Sequence, residues 1–285
     1  MKNADPIAKV NPIAEVFGFP PDNRSKEADE HREKKLCPFQ NDKKCTKSKA
    51  NDPLGVCSVK DENTKVIICP SRFRESDEIL KKAASFVWPN EEKWDCLPEV
   101  KLNDADEKSA GNIDYVIVKY GEDDKIIDFA SIEVQGVYIS GNLRNPFKEY
   151  TETDYKWDGK EVPHPDYLSS SRKRLIPQML YKGGIFKKWG KKQCVVIQKS
   201  FFDKLPKLHK VSAEDAEIAW FLYDLEYNEQ EKKNHLVCKD TVYTKFDDAM
   251  NEVICPKTGD MEKFVKVLEK KNKEIKKNNS VKKNK

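Results

Sequence analysis

The sequence predicts an α/β or α+β domain in which a central mixed sheet is flanked by helices. Three observations predict it. Two strand-like runs, 113–118 and 125–138, are separated by the turn Gly121-Glu122-Asp123-Asp124. Two more apolar, β-branched or aromatic runs follow at 193–198 and 218–227. Between and before them lie helical patterns. In 75–86, Ile79, Leu80, Ala83 and Phe86 share one side, and 177–187 opens with Pro177 in its first turn.

Along the rest of the chain, 11–18 predicts a short helix, with Asn11 as N-cap, Pro12 at the first position and Gly18 as the stop. Residues 21–35 are highly charged and predicted exposed, 36–72 are rich in cysteine, and 150–170 look irregular. The stretch 263–285 carries Phe264, Val267, Leu268 and Ile275 among many lysines and predicts a helix that frays into a basic tail. The predicted organisation is an N-terminal segment with a cysteine module (1–72), a main domain (73–260) and a basic C-terminal helix or tail (261–285).

Composition removes several classes. The chain has 285 residues and a net charge of +4, which by itself does not call for a nucleic-acid partner. Its apolar runs are too short to span a bilayer. The start lacks the apolar core of a signal peptide, so a cytoplasmic, thiol-reducing location is expected. Gly183-Gly184 is not followed by the Gly-Lys-Ser/Thr of a phosphate-binding loop, no nucleophile elbow is present, and His31, His164, His209 and His235 form no metal or triad spacing.

Eight cysteines then need an explanation other than disulfides in a reducing compartment. Cys37, Cys45, Cys57 and Cys69 cluster in a segment with few long apolar runs. Such a segment holds its shape poorly without a staple, and four thiolates suit one tetrahedral zinc or iron ion. The spacing is wider than the tight Cys-x2-Cys pattern, so buried free thiols or disulfides stay open as alternatives. Cys194, before Val195-Val196-Ile197, reads as a buried strand residue.

The most informative stretch is Asp128-Phe129-Ala130-Ser131-Ile132-Glu133-Val134-Gln135. In a strand, Ile132 and Val134 face one way, and Glu133 and Gln135 face the other way together. Asp114 sits in the preceding strand between Ile113 and Tyr115. If the two strands form a hairpin, Asp114 and Glu133 converge, and two converging carboxylates form a hard-oxygen site for Mg2+. Such a site suits phosphodiester hydrolysis, with Gln135 orienting water or contacting a phosphate. A polar sheet face whose acids pair with lysines is the alternative.

Three segments in order, Asn11-Pro12-Ile13-Ala14-Glu15-Val16-Phe17-Gly18, the cysteine run from Cys37-Pro38-Phe39 through Gly55-Val56-Cys57 to Ile68-Cys69-Pro70, and Asp114 with Ile132-Glu133-Val134-Gln135, together resemble the NotI-type restriction endonucleases. The later Gln178-Met179-Leu180-Tyr181-Lys182 resembles that family's helix after the active site, and the resemblance spans roughly residues 10–225. It implies a PD-(D/E)XK nuclease fold of the E-x-Q variant. Asp114 and Glu133 would then be Mg2+ ligands, and Gln135 would stand in the usual lysine position. It implies one structural iron or zinc on Cys37, Cys45, Cys57 and Cys69. It further implies a homodimer acting on a GC-rich palindrome in double-stranded DNA, with a cognate DNA methyltransferase as functional partner.

DNA-contact candidates are Ser140, Asn142 and Arg144 in the loop after the active strand, and Arg172, Arg174, Gln178 and Lys182 around the following helix. Arginine can read guanine in two-pronged fashion and lysine can neutralise phosphate. The same residues also suit an ordinary turn and an exposed basic face. Three rival functions remain at this stage: a non-catalytic DNA-binding protein, a repair or structure-specific nuclease, and a metal-stapled interaction protein.

Overall fold

The structure is a computed structural model that describes residues 11–47, 51–90, 93–141, 144–153, 164–255 and 258–283. The chain divides into two compact units, Met1–Val253 and Ile254–Lys285. The second unit is built on one helix, Met261–Lys283, as its pattern predicts.

The first unit is organised around a mixed six-stranded sheet. Its strands are β4 (Trp94–Asn103), β5 (Ser109–Tyr120), β6 (Ile126–Gln135), β7 (Gln193–Gln198), β8 (Ile218–Asn228) and β9 (Lys233–Thr244). In space they follow the order β9-β8-β7-β6-β5-β4. Strand β5 pairs antiparallel with both β4 and β6; β7 lies parallel to both β6 and β8, and β9 closes the far edge antiparallel. Strand β7 is buried along its whole length, as expected of a parallel strand covered on both faces. Alternation sorts its side chains: Val195 and Ile197 join one core cluster, Cys194 and Val196 the other.

Each face has its own helical cover. On the Cys194 face, the helix Glu78–Val87 contributes Ile79, Ala83, Ala84 and Phe86 to the core with Ile117, Ala130 and Ile132. On the Val195 face, Leu175 and Met179 of the long helical segment 167–188 pack with Trp220, Leu222 and Phe246. That segment is capped by Asp166, which accepts the Ser169 N–H at 2.8 Å. The sequence pattern starts this helix at Pro177, but it begins ten residues earlier, at Tyr167. Pro177 is accommodated between two π-helical stretches, Ser171–Leu175 and Met179–Gly183, and the Ile176 N–H reaches back to the Ser171 carbonyl.

A smaller sheet precedes the large one, with β1 (Ile13–Val16), β2 (Val56–Asp61) and β3 (Thr64–Ile67) in the order β1-β2-β3. The short helix predicted over 11–18 is therefore a strand. A helix of eight residues gains little to offset its nucleation, whereas β1 pairs with β2 and buries Glu15 against Ser58 and Arg72. Asn11 accepts the Ile13 N–H at 2.9 Å instead of capping a helix. Phe17 and Gly18 turn the chain with φ of 47° and 89°.

Arg72 ties the two sheets. Its side chain is fully buried and donates to Glu15, to Glu75 at 2.6 Å and to the Asn234 carbonyl at 2.8 Å on β9. Burying this guanidinium is tolerable because the carboxylates and the carbonyl replace its water. Arg72→Met removes the buried countercharge of Glu15, and is expected to lower unfolding free energy by about 3–5 kcal/mol in a urea titration.

Candidate active site

The acidic pair forms where β5 and β6 part. Their register runs from Tyr120↔Ile126 to Tyr115↔Ile132, so the next pair along is Asp114 opposite Glu133. There the ladder yields to a side chain, and Asp114 Oδ2 accepts the Val134 N–H at 2.8 Å. Its carboxylate stands close enough to Glu133 to raise that residue's pKa. Ile132 and Val134 belong to the Cys194-side core, so Glu133 and Gln135 occupy the opposite face, as alternation predicts.

Glu133 is buried at 8% exposure. Burial first, and then the charge of Asp114, push its pKa up to about 7; the Lys182 ammonium opposes both. Lys182 donates to Glu133 Oε2 at 2.7 Å and to the Asn112 carbonyl at 2.8 Å. Its Nζ is also 2.7 Å from Oε1, yet no aligned hydrogen bond reaches that buried oxygen. A buried carboxylate beside a second carboxylate fits a hard divalent cation. Among the described residues no three His, Cys, Asp or Glu side chains stand together at metal-ligand spacing. Mg2+ is commonly held by one or two carboxylates, with water and substrate phosphate completing its shell, so a pair meets that need.

Beyond Gln135 the chain runs under the cysteine module. The Val137 N–H donates to the Ile67 carbonyl at 2.8 Å, and a Cβ on Gly136 would lie 3.1 Å from the Ile68 carbonyl carbon and oxygen. This close approach of two backbones is why position 136 holds glycine. A cleft of about 540 Å3 opens at this seam, lined by Gln135, Arg144 and Arg174 together with Lys47, Tyr138 and Ile139. Gln135 Nε2 donates to the Gly136 carbonyl at 2.6 Å. Arg174 stacks over the Tyr138 ring at 4.6 Å, and Arg144 pairs with Asp52 of the module.

The other predicted contacts distribute differently. Ser140 is exposed and donates to the His164 carbonyl at 3.2 Å, Arg172 is exposed, and Gln178 is half-buried. Asn142 lies outside the described residues. Lys182, a DNA-contact candidate, is instead buried against Glu133. It shares a stripe with the buried Leu175, Met179 and Phe186, and a lysine on that apolar stripe is the signal that could have found it.

Cys37, Cys45, Cys57 and Cys69 are all buried and line one cavity of about 260 Å3. Burial raises the Cys37 thiol to about 11 and also raises those of Cys45 and Cys57; charge on one cysteine acts on others around the cavity. Although the thiols do not close to mutual ligand spacing, the donor set fits a borderline or soft cation. No disulfide joins them; all eight cysteines are free.

A mixed six-stranded sheet, covered by helices and carrying two acids at a strand junction, is consistent with the nuclease-like class of α/β folds. The family description Restriction endonuclease NotI matches residues 23–236. The chain belongs to the NotI restriction endonuclease family, type II restriction endonucleases that act on DNA. No curated protein matches the chain. No described helix is long and apolar enough to cross a membrane.

Because the atoms facing a new Cβ at position 136 are backbone, Gly136→Ala is expected to destabilise the protein by about 1–3 kcal/mol, read from its thermal unfolding.

Proposed function

We propose that this chain hydrolyses phosphodiester bonds of double-stranded DNA at a specific site, with Mg2+ held by Asp114 and Glu133. The observation that carries the reading is the meeting of those two carboxylates at the parting of β5 and β6, with Glu133 buried. Bound Mg2+ would polarise the scissile phosphate and make hydroxide available near neutral pH. The chain's own residues do the rest. Asp114 is fixed by the Val134 N–H and cannot swing away from the pair. Glu133 is held by Lys182 at the end of the buried stretch 130–133 of its strand. Gln135 lines the adjoining cleft, where its amide can contact a phosphate or orient water. Water attacks phosphorus and the bond to the 3′ oxygen breaks, leaving a 5′-phosphate and a 3′-hydroxyl.

The cleft that Gln135, Arg144 and Arg174 share suits the DNA backbone, and Ser140, Arg172 and Gln178 lie on the segments beside it. The fold is read as a PD-(D/E)XK nuclease of the E-x-Q type, and the recognition sequence as a GC-rich palindrome. Cutting both strands of a palindrome calls for a two-fold homodimer. A cognate DNA methyltransferase would protect the host sequence, which places both proteins in the cytoplasm. Cys37, Cys45, Cys57 and Cys69 would hold one structural iron or zinc, stapling the module whose backbone lies on Gly136.

Incubation of a plasmid of known sequence with Mg2+ is expected to give discrete fragments; smears or junction-specific cuts contradict site-specific restriction. Asp114→Asn and Glu133→Gln are expected to abolish cleavage while DNA binding persists. Elemental analysis of the purified protein is expected to find about one iron or zinc per chain, lost with structural stability in Cys57→Ser.

A further inference from the structure

We propose that the helix Met261–Lys283 is a second, sequence-independent DNA contact of this protein, in which a stripe of Lys263, Lys266, Lys270 and Lys273 binds backbone phosphates away from the phosphate that is cut. The inference rests on the nuclease reading and adds to it a surface that touches no reacting atom.

The charge of the chain is unevenly divided. Residues 261–285 hold ten lysines and three glutamates, a net charge of +7, so residues 1–260 carry a net −3 within the total of +4. A polyanion is therefore drawn from a distance by the C-terminal segment and not by the net charge of the rest. Within the helix the charge is sorted again. Lys263, Lys266, Lys270 and Lys273 are spaced three, four and three residues apart, which keeps them on one face. Met261, Phe264, Leu268 and Ile275 share the opposite face. All four lysines are exposed, and among the described residues none of their ammoniums has an ion-pair or hydrogen-bond partner. Glu274, beside the stripe, pairs instead with Lys271 at 3.6 Å.

The spacing suits one strand of a duplex. From Lys263 to Lys273 the helix rises about 15 Å, and a DNA strand presents about four phosphates over that length. Four ammoniums without a protein acceptor meet them, each with three donors. Contacts of this kind release condensed counterions, hold the protein on any sequence and carry no sequence information. They supply the attraction for DNA that the net-acidic remainder of the chain lacks, and they leave the hydrolytic step to the acidic pair. A duplex fits the stripe better than an anionic membrane surface does. An amphipathic helix lying on a membrane buries its apolar face in the headgroups and turns the middle of its polar face to water. These four lysines occupy that middle, where a membrane does not reach them and a DNA strand does.

The test uses the full-length protein with Lys263→Gln, Lys266→Gln, Lys270→Gln and Lys273→Gln combined. Glutamine matches lysine in helix propensity, so the circular dichroism spectrum is expected to stay that of the wild type. Affinity for a duplex without the cleavage site is measured by fluorescence anisotropy over a range of KCl concentrations. The variant is expected to bind more weakly, and the slope of log affinity against log salt to become shallower by about three to four. The single-turnover cleavage rate of a site-bearing duplex saturated with protein is expected to be unchanged. A second variant makes the same change of charge elsewhere, at the exposed Lys60, Lys101, Lys207 and Lys210, each to Gln. Its slope is expected to stay within about one of wild type. A stripe variant whose slope also stays within about one of wild type overturns the inference, and so does a second variant that lowers the slope as much as the first. Loss of binding to phosphatidylserine-containing vesicles in the stripe variant, with its DNA slope unchanged, assigns the helix to a membrane surface and overturns the DNA contact. A wild-type chain that cuts no DNA with Mg2+ yet shows the lysine-dependent slope supports the contact and removes only the nuclease reading.

Discussion

The hydrogen bond from the Val134 N–H to Asp114 is the contact on which the site depends. It replaces the rung that the β5–β6 ladder would otherwise form and fixes a carboxylate beside Glu133. Two adjacent acids in a partly buried place are costly, and the cost appears in Glu133, whose pKa burial and Asp114 together raise to about 7. Lys182 offsets part of that cost and a divalent cation would offset the remainder. The sheet provides the rigidity: Glu133 sits between β5 and the buried β7, paired with Val195 across a parallel ladder. A site on strand residues held this way keeps its geometry better than one on loops.

The cysteine module is not a remote appendage of that site. Its backbone at Ile67–Pro70 lies directly on Gly136 and Val137, the residues that leave β6 just after Gln135. Gln198 at the end of β7 binds β3 as well, accepting the Ile67 N–H at 2.7 Å and donating to the Lys65 carbonyl at 2.6 Å. One wall of the cleft is therefore module and the other is active strand. A metal among the four cysteines would act on cleavage through the placement of this wall, without touching the reacting phosphate.

Much of this was legible in the sequence where local pattern and tertiary environment agree. Strand β7 is bounded as its apolar run predicts, and the alternation of Ile132, Glu133, Val134 and Gln135 assigns their faces correctly. The Asp114–Glu133 meeting followed from one hairpin turn. What escaped depends on distant partners. Strands β4 and β9 are the two edges of the sheet, where exposed polar side chains and Pro98 obscure the strand pattern. The segment 11–18 carries helix punctuation but becomes a strand because Arg72, Ser58 and the β2 edge give Glu15 better partners. Lys182 was singled out as a DNA contact, but its burial against the acidic pair escaped, since its acceptors lie 49 and 70 residues away in the chain.

Manganese makes the central claim directly measurable, because Mn2+ takes the same oxygen ligands as Mg2+ and is visible by electron paramagnetic resonance. Titrated into the protein bound to site-bearing DNA, Mn2+ should fill one tight site per acidic pair, and Asp114→Asn should abolish that site while the DNA stays bound. Equal Mn2+ binding by the wild-type protein and by Asp114→Asn would show that the two carboxylates do not hold a common ion, and would contradict the account.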